Sequence, residues 1–154
     1  MAELEKYSRI YLEKSWDWLN DPEIKFLTNT PDFSRADQEK WYNDIQKKEN
    51  YKIWGLSDEG KPIGIFGIKN IDFDEGFGEY WGFIGEKEYW GKGIGKLILK
   101  QIIEIAKTEF KLKEIYLKVL KGNLIAINLY KKFEFKEIGT DSKNIIMKKT
   151  INSL

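Results

Sequence analysis

The sequence predicts an α/β (α+β) fold, with a mixed, mostly antiparallel central sheet flanked by about four helices in one domain spanning residues 1–154. Three observations predict it. Two β-rich runs, YKIWGLS from Tyr51 and PIGIFGIKNI from Pro62, are joined by Asp58-Glu59-Gly60-Lys61, which has the chemistry of a hairpin turn. A third run, EYWGFIG from Glu79, leads through a glycine-rich loop into an apolar helical pattern and then another strand, so residues 79–120 read as a right-handed parallel crossover. Finally, 154 residues at 42% apolar content suffice to close one core.

The elements follow in order. Residues 11–20 read as a helix ended by Asp21-Pro22, because the residue before proline is pushed out of the α region. SRADQEKWYNDIQKK opens on a capping Ser34, carries Asp37 three places on, and continues at helical spacing. After the hairpin and the third strand, Ile94, Leu97, Ile98, Ile102 and Ile105 fall on one helical face. EIYLKVL from Glu114 reads as a buried strand, and NLIAINLYKKF as a helix capped by Asn123. EFKEIG from Glu134 and NIIMKKT from Asn144 close the sheet. The order is α, α, β, β, β, α, β, α, β, β, which is not a series of repeating βαβ units.

Composition narrows the chemistry. The chain has no Cys and no His, which excludes disulfides, thiolate zinc sites, Cys nucleophiles and every triad built on His. No metal is expected. Proton transfer must fall to Glu, Asp, Tyr, Lys or water. No apolar run approaches the roughly 18 residues of a membrane span, and MAELEKYSR lacks a secretion signal's apolar core, so the expected location is the cytoplasm with no membrane partner. The net charge of +1, with no basic stripe interleaved with aromatics, argues against nucleic acid. Charge is nevertheless uneven. Residues 1–77 hold 11 Lys and Arg against 16 Asp and Glu, a net of −5, while residues 78–154 hold 15 against 9, a net of +6. A basic half suits an anionic ligand and an acidic half a cationic one.

Trp90-Gly91-Lys92-Gly93-Ile94-Gly95 lies between strand and helix, where the first helical N–H groups have no partner within the helix. Glycines let an anion approach those donors, and the helix dipole adds to the attraction. The spacing fails the GxxxxGK[ST] loop, because Gly95-Lys96 is followed by Leu97. It also fits the GxGxxG dinucleotide fingerprint poorly, because the third glycine is misplaced. A glycine-eased turn with no ligand is the alternative.

Two matches in order, the glycine loop and then Asn123-Leu124-Ile125-Ala126-Ile127-Asn128-Leu129-Tyr130-Lys131-Lys132-Phe133, resemble the GNAT superfamily of acetyl-CoA-dependent N-acetyltransferases. The resemblance runs from about Tyr51 to Lys148, and WLNDPEI from Trp18 looks like the opening helix of many members. It implies the single-domain GNAT fold and acetyl-CoA as co-substrate. Two positions depart from the pattern. Trp90 stands where Gln or Arg is usual, and Glu134 where a glycine usually precedes the aromatic.

The resemblance also assigns roles. Trp90, Gly91, Lys92, Gly93, Ile94, Gly95 and Lys96 would hold the CoA pyrophosphate. Phe83 and Ile84 would pair through their backbone with the pantetheine arm, in a slot opened where their strand splays from the next. Asn123 would bond the pantetheine or a water. Tyr130 would be the acid for the departing thiolate, and Glu79 the base or the anchor of a water on the base side. Trp16 and Trp81, with Trp18, Trp41 and Tyr80, are candidates for the acceptor pocket. The expected reaction is direct transfer of acetyl from acetyl-CoA to a primary amine of a small molecule, preferably an amino sugar on a nucleotide. A ribosomal-protein N-terminus or a polyamine is the alternative acceptor, and a non-catalytic CoA-binding module is the reading from another class. A second copy of the chain is a candidate homodimer partner.

Overall fold

The computed structural model describes residues 1–151, and it begins with a strand that periodicity did not reveal. β1 (Ala2–Lys6) tucks only Ala2 and Leu4 partly inward and pairs antiparallel with residues 54–58. α1 (Arg9–Asn20) ends where the Asp21-Pro22 pair stops it. That pair also starts a helix that was not expected. In α2 (Pro22–Leu27), Pro22 fills the first turn and the Asp21 side chain accepts from the Glu23 and Ile24 N–H groups. α3 (Arg35–Ile45) has the expected reciprocal cap: the Asp37 N–H donates to Ser34 Oγ, and the Ser34 N–H donates to the Asp37 carboxylate.

β2 (Lys52–Asp58) and β3 (Lys61–Asp72) meet through Glu59 and Gly60, at φ 49° and 84°. Two successive positive φ values are what a two-residue hairpin turn needs to match strand twist. β4 (Phe77–Ile84), a 3-10 turn at Lys87–Tyr89, α4 (Ile94–Thr108), β5 (Glu114–Leu120), α5 (Leu124–Lys132), β6 (Lys136–Asp141) and β7 (Asn144–Thr150) complete the chain. The seven strands lie in the order β1-β2-β3-β4-β5-β7-β6, and every pair is antiparallel except β4 with β5. The mixed, mostly antiparallel sheet is therefore as expected.

Each face of the sheet is covered. On one, α4 buries Ile98, Leu99, Ile102 and Ala106 against Ile63, Phe66, Ile68, Ile115 and Met147. The buried stripe is rotated from the expected one. Leu99 and Ala106 lie inside, while Leu97 and Ile105 stand at the flank, because the helix packs on the sheet along a narrower line than its whole apolar arc. On the other face, Tyr11, Trp18 and Ile24 of α1 and α2 cluster with Ile65, and Trp81, Phe83 and Trp90 pack against them. No helix among the described residues is long and apolar enough to cross a membrane.

Candidate active site

The parallel pairing of β4 with β5 is short. It covers Phe77↔Glu114, Gly78↔Ile115 and Glu79↔Tyr116 and then stops, while β4 continues to Ile84 and β5 to Leu120. Two strands that part in mid-sheet leave facing edges without strand partners, which is where an extended ligand can add itself as a strand. A cleft of ≈ 670 Å³ runs through this fork. Phe83, Ile84 and Val119 line it at the fork, Asn123 and Tyr130 on the α5 side, and Gln38 and Trp41 on the α3 side. It therefore connects the two faces of the sheet.

The glycine loop is an exposed turn leading into α4. Gly91 and Gly93 have φ 74° and 79°, and Gly93 is the N-cap, so no side chain caps this 15-residue helix and no acid sits in its first turn. Its first N–H groups are open to an anion. A Cβ on Gly91, Gly93 or Gly95 would meet no protein atom within 4 Å. By contrast, a Cβ on Gly85 would come within 2.1 Å of the Trp18 ring, and one on Gly55 equally close to Tyr11. Those two glycines make room for aromatic rings of the protein. Gly95 makes room for nothing in the protein and has no positive φ, so its bareness fits a ligand that needs close approach to the backbone. The residues present thus suit the pyrophosphate of a CoA.

The loop is held in place from behind. Trp90 Nε1 donates to the Ile84 carbonyl at 2.8 Å, tying the loop to the end of β4. Trp18 Nε1 donates to Glu86 at 2.6 Å, and Lys87 bridges Asp21 and Glu23 at 2.9 and 3.0 Å, which keeps the Asp21 carboxyl below its usual range. Trp90 therefore spends its indole N–H on the protein. Lys92 and Lys96 are exposed beside the open N–H groups.

Tyr130 projects from α5 into the cleft, with its ring edge-on to Tyr80 (centroids 6.3 Å, 78°) and tilted on Phe135 at 5.7 Å. Burial pushes its phenol up to about 12, so it stays protonated at neutral pH and is able to donate. Asn123 is both cap and cleft wall: its side-chain oxygen accepts from the Ala126 N–H at 3.3 Å. Glu79, 7% exposed, lies at the last paired rung before the fork. It is set behind the wall formed by Tyr51, Lys69, Trp81 and Lys118, with Asn70 Nδ2 donating to it at 3.2 Å and the Lys69 ammonium facing it as a charge 3.9 Å away. Burial raises the Tyr51 and Tyr116 phenols, and the Glu79 charge adds to both. Trp81 lines the cleft, while Trp16 stands one layer back, under the Arg35 guanidinium at 4.3 Å and edge-on to Phe33.

The model of the acetyltransferase (GNAT) family matches residues 10–135. The chain belongs to the GNAT acetyltransferase family. A probable spermine N(1)-acetyltransferase of Bacillus subtilis subsp. natto (strain BEST195) is 34% identical over 113 residues, covering 68% of this chain and 74% of that protein. A spermine/spermidine N(1)-acetyltransferase of Bacillus subtilis (strain 168) is 33% identical over the same shares. Among solved structures, the spermidine N-acetyltransferase from Vibrio cholerae in complex with CoA and spermine superposes with a TM-score of 0.86 at 22% identity, covering 97% of this chain and 95% of that one. The Campylobacter jejuni N-acetyltransferase PseH in complex with acetyl coenzyme A gives 0.75 at 17%, covering 99% and 100%. These structural likenesses concern the fold.

This GNAT chain is an acetyl-CoA-dependent N-acetyltransferase, with acetyl-CoA as co-substrate. Its cleft has walls that spacing did not reveal. Leu27 at the end of α2, and residues 28–31 and Phe33 between α2 and α3, close one side. They have no periodicity, and their one signal is turn chemistry in TNTP, where Asn29 takes φ 52°. Tyr51 and Lys69 were legible only as strand residues, because a sequence does not say which strand positions face a fork.

Proposed function

We propose that this GNAT enzyme acetylates a primary amine of a polyamine. The observation that carries the reading is the acceptor end of the cleft. There Phe33, Trp41, Tyr51 and Trp81 present aromatic faces and Asp37 a carboxylate, while each lysine in the wall is matched by an acid, Lys69 by Glu79 and Lys118 by Asp141 at 3.1 Å. Rings, one lining carboxylate and no unmatched lysine suit an alkylammonium chain. The names of the Bacillus relatives support the same acceptor class. An amino sugar on a nucleotide, preferred on the sequence pattern, gives way to this reading because both Bacillus relatives are named for polyamines.

Bound acetyl-CoA supplies the acetyl group as a thioester. The chain's own residues do the rest. The α4 N-terminus, Gly91 to Lys96, holds the pyrophosphate, and the unpaired edge at Phe83 and Ile84 orients the pantetheine between β4 and β5, with the Asn123 amide alongside. An ammonium titrates near pH 10 and must lose its proton before its nitrogen can attack. Glu79, set behind the wall, takes that proton through a water. As the nitrogen bonds to the acetyl carbon and the C–S bond breaks, Tyr130 gives its own proton to the departing sulfur, and the proton shed by the new amide nitrogen restores the phenol. Trp81 and Trp41 position the alkyl chain, and Trp16 backs Phe33.

The test is thiol release from acetyl-CoA with a panel of spermine, spermidine, a nucleotide-linked amino sugar and a peptide with a free N-terminus. The polyamines should give the highest kcat/KM. A higher value for the sugar or the peptide would overturn the acceptor and leave the family chemistry in place.

A further inference from the structure

We infer that Asn70 is a positioning residue for the Glu79 carboxylate, brought to it by a bulge in β3. The inference rests on the reading of Glu79 as proton acceptor. β3 and β4 keep register as far as Lys69↔Glu79, and the next pair is Asp72↔Phe77, so β3 carries extra chain at this point. Asn70 sits in the irregularity at φ 52°, a left-handed conformation that asparagine tolerates better than most residues.

The bulge has a consequence that a regular strand could not produce. Successive strand residues point to opposite faces, so Lys69 and Asn70 could not both reach one side chain on β4. Here both do: Asn70 Nδ2 lies 3.2 Å from Glu79 Oε1, and Lys69 Nζ 3.9 Å from Oε2. The remaining charged or titratable groups facing Glu79 are Tyr116 and Lys118 from β5 and Tyr51 ahead of β2. Asn70 donates to Oε1 of the carboxylate, the Tyr116 phenol is a hydrogen-bonding neighbour of both Glu79 and Asn70, and Lys69 acts as a charge beyond bonding distance. By holding Oε1 from the bulge, Asn70 sets which way the carboxylate turns and so where a water relaying the ammonium proton would bind.

Asn70→Gly tests this, because glycine accepts a positive φ freely and Asn70 is itself exposed. Turnover is measured on whichever amine of the panel the wild type uses best, so the result does not depend on the acceptor class. The expected outcome is a kcat about tenfold lower, with KM for acetyl-CoA unchanged and a melting temperature no lower than wild type. Asn70→Asp, which keeps the shape but sets carboxylate against carboxylate, should fall further. Glu79→Gln is run alongside. Wild-type kcat in Asn70→Gly with a strong loss in Glu79→Gln would overturn the positioning role alone. Full activity in Glu79→Gln would overturn the base, and this inference with it.

Discussion

Phe135 fixes Tyr130 from beyond the end of the helix that carries it. The Phe135 N–H donates to the Tyr130 carbonyl at 3.0 Å and the Glu134 N–H to Lys131 at 3.0 Å, with Glu134 between them at φ 67°. This is a helix stop of the kind that normally uses glycine at the left-handed position, and it comes with a contact between the residue after that position and the last turn. Phe135, 2% exposed, makes that contact on the Tyr130 ring. The glutamate that departs from the family pattern thus adopts the glycine's conformation, and the turn survives.

Glu134→Gly should therefore stabilise the protein by about 0.5–1 kcal/mol, since glycine takes a positive φ without strain. Thermal denaturation at neutral pH checks it. The Glu134 carboxylate is exposed and only 3.9 Å from Lys149, so little is lost on removing it. Turnover should be unchanged.

Phe135→Ala should cost about 3–5 kcal/mol through the cavity it leaves, and should lower kcat as Tyr130 loosens. Chemical denaturation gives the first quantity and thiol release the second. A stability loss with kcat intact would show that Tyr130 does not depend on this packing.

Tyr130→Phe should reduce kcat about 100-fold or more, because it deletes the proton donor, while leaving acetyl-CoA affinity unchanged. Saturation kinetics and calorimetric binding on the same preparation separate the two. Equal turnover at saturating substrate would remove Tyr130 from the chemistry.

Stability should hold up to about pH 10 and decline above it. The Tyr130 phenol is raised from 10.0 to about 12 by burial, and burial also raises Tyr7, Tyr51 and Tyr80. Folding therefore favours the protonated phenols. The unfolded chain loses those protons first, so stability is whole below pH 10 and is lost as pH rises from 10 towards 12. Melting temperature across pH 8 to 12 checks it, and a decline beginning below pH 9 would assign the effect to other groups.

Trp41→Ala should raise KM for spermine about tenfold, through loss of one aromatic face on the acceptor, and leave KM for acetyl-CoA unchanged. Steady-state kinetics with each substrate varied in turn separate the two constants.

Much of the fold was legible where one residue type has one job. Glu59-Gly60, the Ser34/Asp37 cap, the Asn123 cap and the run EIYLKVL each appear where the sequence puts them. β1 was not legible because it is a five-residue edge strand with one weakly buried face. α2 was hidden because Asp21-Pro22 signals a helix end and a helix start with the same two residues. At the site, the glycine loop and Tyr130 were legible because backbone chemistry and order along the chain announce them. Tyr51, Lys69 and Asn70 were not. Their relation to Glu79 depends on where β4 and β5 part and on a bulge in β3, and neither leaves a pattern in sequence.

The central claim is that open N–H groups at the start of α4 grip the pyrophosphate of CoA, and Gly95 tests it with least ambiguity. A Cβ there meets no protein atom, and alanine is the better helix former, so Gly95→Ala should melt at or above the wild-type temperature. Calorimetric titration with acetyl-CoA should show clear saturable heat for the wild type and at least tenfold weaker binding for the variant. A stably folded wild type that gives no heat, or a variant that binds as tightly as the wild type, would contradict the account.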